Sequence, residues 1–239
     1  MSDAHAPRAR LRLNVAHSSW ELIWSHVHRV LVVNLGVAVA NLPLLAALQA
    51  WHEPWRYPLL FGPLLLLLPG PSLAAAFAYF DAAGPDGTAP VRLYARAYRR
   101  LFGRAVRVSA PLLLVATAAV AEVAVLGSTP AGAFLVPMAA VVGAIAALAW
   151  VVALAAEARE RTTGRLIHLL APYLVVRHAP MSLFHLVLLG GGLLLVNQAP
   201  LVGLAVVPGC VLFVVWHHCR SHPLPGGTTP WHSPRNATN

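Results

Sequence analysis

Apolar residues in this chain run on for the length of a membrane crossing and then stop at arginines. Six such runs cover residues 30–50, 57–80, 109–126, 133–155, 181–196 and 200–216. A hydrocarbon core about 30 Å thick takes roughly 20 apolar residues in a helix. The first four runs reach or approach that length. The last two are shorter, and only Asn197-Gln198-Ala199-Pro200 separates them. Six spans are predicted, with five as the alternative count if this pair forms one bent or re-entrant element. The pattern predicts an all-α polytopic membrane bundle, with a single domain over 18–218. A basic tail at 1–17 is expected to be mobile, and a Pro/Gly-rich tail at 219–239 disordered.

Arginine placement orients the bundle. Arg8, Arg10, Arg12 and Arg29 precede the first run, and Arg92, Arg96, Arg99, Arg100, Arg104 and Arg107 lie between the second and third. Arg159, Arg161, Arg165 and Arg177 lie between the fourth and fifth, Arg220 and Arg235 follow the last, and Arg56 alone falls in a loop on the other side. The positive-inside rule then places both termini in the cytoplasm. The net charge of +9 is thereby a matter of topology, and a nucleic-acid partner is not expected.

Within this basic set Arg92, Arg96, Arg100 and Arg104 recur at every fourth position, beside Leu93, Ala97, Leu101 and Ala105. This spacing predicts an interfacial amphipathic helix near 91–107. Its arginines would dock on anionic lipid headgroups or on an acidic partner.

Polar residues inside the runs are few. Asn34 and Asn41, seven apart, share one face of the first span, which lipid cannot satisfy and which should therefore point inward. Pro69, Gly70 and Pro71 interrupt the second run ahead of Ser72 and predict a break there, since each proline removes a backbone donor. Glu122 is the one acid within the six runs. With Asn197 at the end of the fifth run, Asn34, Asn41, Ser72 and Glu122 are the candidates for lining a cavity. The two cysteines, Cys210 and Cys219, form no disulfide or metal framework, and the crowded 217–222 stretch is unlike a spaced zinc site. No lysine is present for a phosphate-binding loop, and no nucleophile elbow or dinucleotide fingerprint occurs. Neither a cofactor nor enzymatic activity is predicted.

Over residues 20–218 the chain resembles the YesL-like family of bacterial membrane proteins, a family of unknown function. Asn34-Leu35, Asn41-Leu42-Pro43, Gly70-Pro71-Ser72 with Ala74-Ala75-Ala76, and the arginine-aromatic stretch 92–107 carry the resemblance. It implies an accessory role in carbohydrate uptake beside a transporter of the ATP-binding-cassette type, in the bacterial cytoplasmic membrane, with a transporter subunit as partner. The alternative is a substrate-binding membrane component or small transporter, like the substrate-capture subunit of an energy-coupling-factor importer. The polar candidates would then gather around a space at the broken second helix.

Overall fold

The computed structural model describes residues 24, 26–50, 57–83, 89–159, 166–198 and 200–221. Both predicted tails fall almost wholly outside them. Among the described residues every regular element is a helix. They are α1 (His26–Ala40), α2 (Leu42–Ala50), α3 (Pro58–Leu67), α4 (Pro69–Ala82), α5 (Pro90–Leu126), α6 (Gly132–Ala158), α7 (Leu166–Arg177), α8 (Ala179–Gln198) and α9 (Pro200–Ser221). Three helical stretches are long and apolar enough to cross a membrane: Leu59–Ala82, Pro90–Leu126 and Gly132–Ala158. Counting each of two bent helix pairs as one span raises the number to five. Helix α9 contributes a shorter apolar stretch, Val207–Cys219.

The bends do not fall where the prolines alone predict. At Pro69 the chain gives up only Leu68, whose N–H still donates to the Leu64 carbonyl, so 59–82 runs on as one span. The expected break at Pro69, Gly70 and Pro71 is thus a packed one-residue junction. Pro69 sits in the first turn of α4, where a missing N–H costs nothing. Sharper bends lie at Asn41, between α1 and α2 (58°), and at His178, between α7 and α8 (98°). Each is followed within two residues by a proline, Pro43 or Pro180, in the first turn of the next helix.

The predicted interfacial helix near 91–107 is not a separate element. It forms the first half of α5, which continues through Pro111 to Leu126 without interruption. Tyr94, Ala97, Leu101, Ala105, Val108, Ser109 and Leu112 make one buried stripe that crosses the expected boundary unchanged. Pro111 faces outward and leaves that packed face intact.

Alanine-rich α4 is the centre of the bundle. Ala74, Ala75, Ala76 and Phe77 are fully buried among α5, α6 and α9, small side chains letting those backbones approach. The core collects where the start of α5 meets the ends of α4, α6 and α9. Toward the α5–α6 turn the same two helices are apolar and exposed, with Leu114, Val120, Val125, Phe134 and Met138 on the outside.

Candidate functional site

Asn34 and Asn41 are both buried, and different helices engage them. The Asn34 Oδ1 accepts the main-chain N–H of Gly209, tying α1 to α9 just past Pro208. Gly209 has to be glycine for this approach. A Cβ there would lie 2.7 Å from the Val30 carbonyl oxygen and 2.8 Å from the Asn34 Oδ1. Asn41, at the α1–α2 bend, donates from Nδ2 to the Val37 carbonyl (2.8 Å) and to the Ser72 Oγ (2.9 Å). The Ser72 hydroxyl donates in turn to the Pro69 carbonyl at 2.8 Å, and the Tyr94 hydroxyl donates to the Ser72 carbonyl at 3.0 Å. The Asn41–Ser72–Tyr94 chain therefore joins the α1–α2 bend, the α3–α4 junction and α5. The Asn41 Oδ1 is buried there with no donor facing it.

A neighbouring bond closes the core from α6. The Trp150 indole N–H donates to the Ser109 hydroxyl at 2.8 Å. Gly70 packs against that same hydroxyl, which a Cβ at this position would overlap.

The remaining candidates do not join this network. Glu122 is exposed and lines a shallow apolar groove with Val115 and Ala119 on α5 and Leu135, Met138 and Val142 on α6. No residue of α1–α4 lines that groove. The side chain of Asn197 lies outside the described residues. Five polar groups around one space is therefore not the arrangement found: Asn41 and Ser72 meet, Asn34 is spent on α9, and Glu122 belongs to a different surface.

The basic stripe also divides. Arg92, Arg96 and Arg100 are exposed, as a docking face requires. Arg104 instead turns inward and pairs with the buried carboxylate of Glu157 on α6. Arg104 thus differs from its three neighbours in the stripe by being half-buried and ion-paired within the chain: a carboxylate taken out of water holds the nearest guanidinium.

A second ionic cluster lies beside it and was not expected. Arg159, capping the end of α6, reaches the Asp81 Oδ2 (3.2 Å) at the end of α4 and the carbonyls of Cys219 (2.8 Å) and Trp216 (3.3 Å) on α9. The Trp216 indole donates to the Asp81 Oδ1 at 2.8 Å. Phe80, Phe213 and Trp216 stack around it, with ring centroids 5.5–5.7 Å apart. One guanidinium thus neutralises a carboxylate and satisfies carbonyls at a helix C-terminus, the end that favours cations. Asp81 and Glu157 stand within two residues of the predicted span ends. An acid at the arginine-bearing end of a span is the signal that would have pointed to them.

On the opposite flank of α9 the His185 Nε2 and His218 Nδ1 lie 3.2 Å apart. Among the described residues no third metal-ligating side chain joins them.

Comparison of the chain with known protein families, curated proteins and solved structures finds no match.

Proposed function

We propose that this chain is an integral membrane accessory or regulatory protein that works through its outer surfaces and carries no substrate. In this reading it crosses the bacterial cytoplasmic membrane six times, α9 supplying the last span, with both termini in the cytoplasm. One observation carries the proposal: among the described residues Asn34, Asn41, Ser72, Ser109, Glu157 and His185 are the polar or charged residues buried in the bundle, and each bonds to the chain itself. A substrate site in hydrocarbon needs polar groups held open toward a cavity. Here they brace bent helices together. Exposed Arg92, Arg96 and Arg100 offer the outer cytoplasmic flank of α5 to a partner or to headgroups. The resemblance to YesL-like proteins favours a carbohydrate transporter of the ATP-binding-cassette type as that partner.

Among the described residues two buried side-chain atoms lack a partner, the Asn41 Oδ1 and, on α7, the His168 Nδ1, and the alternative, substrate capture, draws on the first. The buried Asn41 Oδ1 lacks a donor, and a small polar ligand would supply one. The two readings separate on purification in a mild detergent, followed by mass spectrometry of bound proteins and small molecules together. The accessory reading expects a transporter subunit at fixed stoichiometry and no metabolite. A stoichiometric metabolite that is lost in Asn41→Ala overturns it.

A further inference from the structure

Helix α7 reads Leu166-Ile167-His168-Leu169-Leu170-Ala171-Pro172-Tyr173-Leu174-Val175-Val176-Arg177 and is apolar around nearly its whole circumference. One side is buried in the bundle through Ile167, Ala171 and Val175, at every fourth position. The opposite side presents Leu166, Leu169, Tyr173 and Val176, which are 65%, 74%, 54% and 60% exposed. A helix with two apolar sides does not leave one of them in water.

Its length and direction decide what covers that side. Twelve residues make about 18 Å of helix, too short for a hydrocarbon core of about 30 Å. The following α8 is a largely apolar helix of twenty residues, about 30 Å, and meets α7 at 98°. The corner is held by its own bonds. The His178 N–H donates to the Leu174 carbonyl (3.0 Å), the Ser182 N–H to the His178 carbonyl (3.0 Å), and the Ser182 hydroxyl to the Val175 carbonyl (2.8 Å). With α8 along the membrane normal, α7 lies in the membrane plane. At its end the Arg177 guanidinium sits 5.9 Å from the centre of the Tyr173 ring and 3.3 Å from its hydroxyl. An arginine and a tyrosine paired at the rim of an apolar face suit the headgroup boundary. In sequence Arg161 and Arg165 stand just before the helix.

We propose that α7 is an in-plane anchor, laying Leu166, Leu169, Tyr173 and Val176 into the acyl boundary of a phospholipid leaflet with Arg177 at its phosphates. This gives an interfacial role to a helix between the fourth and fifth apolar runs, beside the one that periodicity assigns to 91–107. This placement depends on α8 crossing the membrane, and the test separates the two.

The experiment is spin-label accessibility on the full chain in nanodiscs of phosphatidylcholine and phosphatidylglycerol. Cys210 and Cys219 are replaced by serine, and single labels are placed at Leu169→Cys and Val176→Cys, with Val187→Cys on the exposed side of α8 as control. Because all three positions point outward, labelling leaves the core untouched. The expected result is that dissolved oxygen outweighs a water-soluble nickel chelate in collisions at all three sites. Depths at 169 and 176 should be shallow, about 5–10 Å inside the phosphates, and equal, whereas 187 differs. Nickel-dominated collisions at 169 and 176 with an oxygen-dominated 187 would overturn the anchor alone. Protection from both reagents at 169 and 176 would overturn it in favour of a protein cover. Nickel dominance at 187 would overturn the spanning of α8 and the anchor with it.

Discussion

Replacing Arg159 by methionine keeps an unbranched apolar stem and removes every polar contact the guanidinium makes. The guanidinium bridges Asp81 on α4 and the Trp216 and Cys219 carbonyls on α9 from its position at the end of α6. Hydrogen bonds to charged groups contribute about 1.5–3 kcal/mol each. Removing one partner of a buried pair costs about 3–5 kcal/mol. Asp81 retains some solvent and keeps the Trp216 indole as a donor, so rehydration offsets part of the loss. Arg159→Met should therefore destabilise the bundle by about 3 kcal/mol. Asp81→Asn preserves an acceptor for Trp216 while removing the charge, and should cost about 1 kcal/mol. If the two side chains act as one unit, the double variant falls short of the sum of the singles by about 1–2 kcal/mol. The assay is reversible unfolding in mixed micelles with rising SDS fraction, followed by far-ultraviolet circular dichroism. An Arg159→Met variant within about 0.5 kcal/mol of wild type, the scatter of ordinary surface substitutions, or strict additivity with Asp81→Asn, would refute the bracing role.

Three further variants probe the interior by the same assay. Gly209→Ala forces a methyl group against the Val30 carbonyl and the Asn34 Oδ1, and should cost about 1–3 kcal/mol as overpacking does; an unchanged midpoint would show that α1 and α9 are not in tight contact. Tyr94→Phe removes the bond to the Ser72 carbonyl and should cost about 0.6 kcal/mol, the average for hydrogen bonds inside a membrane protein, and no more than about 1.7 kcal/mol; no loss would mean that water or another donor already serves that carbonyl. Glu122→Gln, on an exposed surface apart from the polar network, should change stability by less than about 0.5 kcal/mol; a larger shift in either direction would place Glu122 in an interaction the account lacks.

Much of the architecture is written in one dimension because hydropathy is local. The apolar runs map onto helices, and the seven-residue spacing of Asn34 and Asn41 marks a buried face before any partner is known. The partners themselves are distant in sequence. Asn41 meets Ser72, Ser109 meets Trp150 and Arg104 meets Glu157 across 31, 41 and 53 residues, while Trp216 reaches back 135 to Asp81. A fourfold arginine spacing defines a stripe on a helix, but it does not say that the last member turns toward a buried acid. Asp81, Glu157 and Arg159 sit at span ends, where charge reads first as topology, so their pairing stays hidden until α4, α5, α6 and α9 are brought together. Helix α7 is too short to register as a span and too apolar to register as amphipathic. Its character emerges only from a buried side, an exposed side and a 98° corner.

In the proposed orientation the arginine-rich, ionically braced end of the bundle faces the cytoplasm. Cysteine accessibility in intact cells tests it most directly. In a Cys210→Ser, Cys219→Ser background, Arg99→Cys lies in the third turn of α5 and Ser128→Cys just past its end, separated by about 40 Å along the helix axis, more than a hydrocarbon core of about 30 Å. A membrane-impermeant maleimide should label Ser128→Cys from outside and reach Arg99→Cys only after permeabilisation. Labelling of Arg99→Cys in intact cells, with Ser128→Cys protected, would contradict the orientation and the cytoplasmic placement of every arginine cluster built upon it.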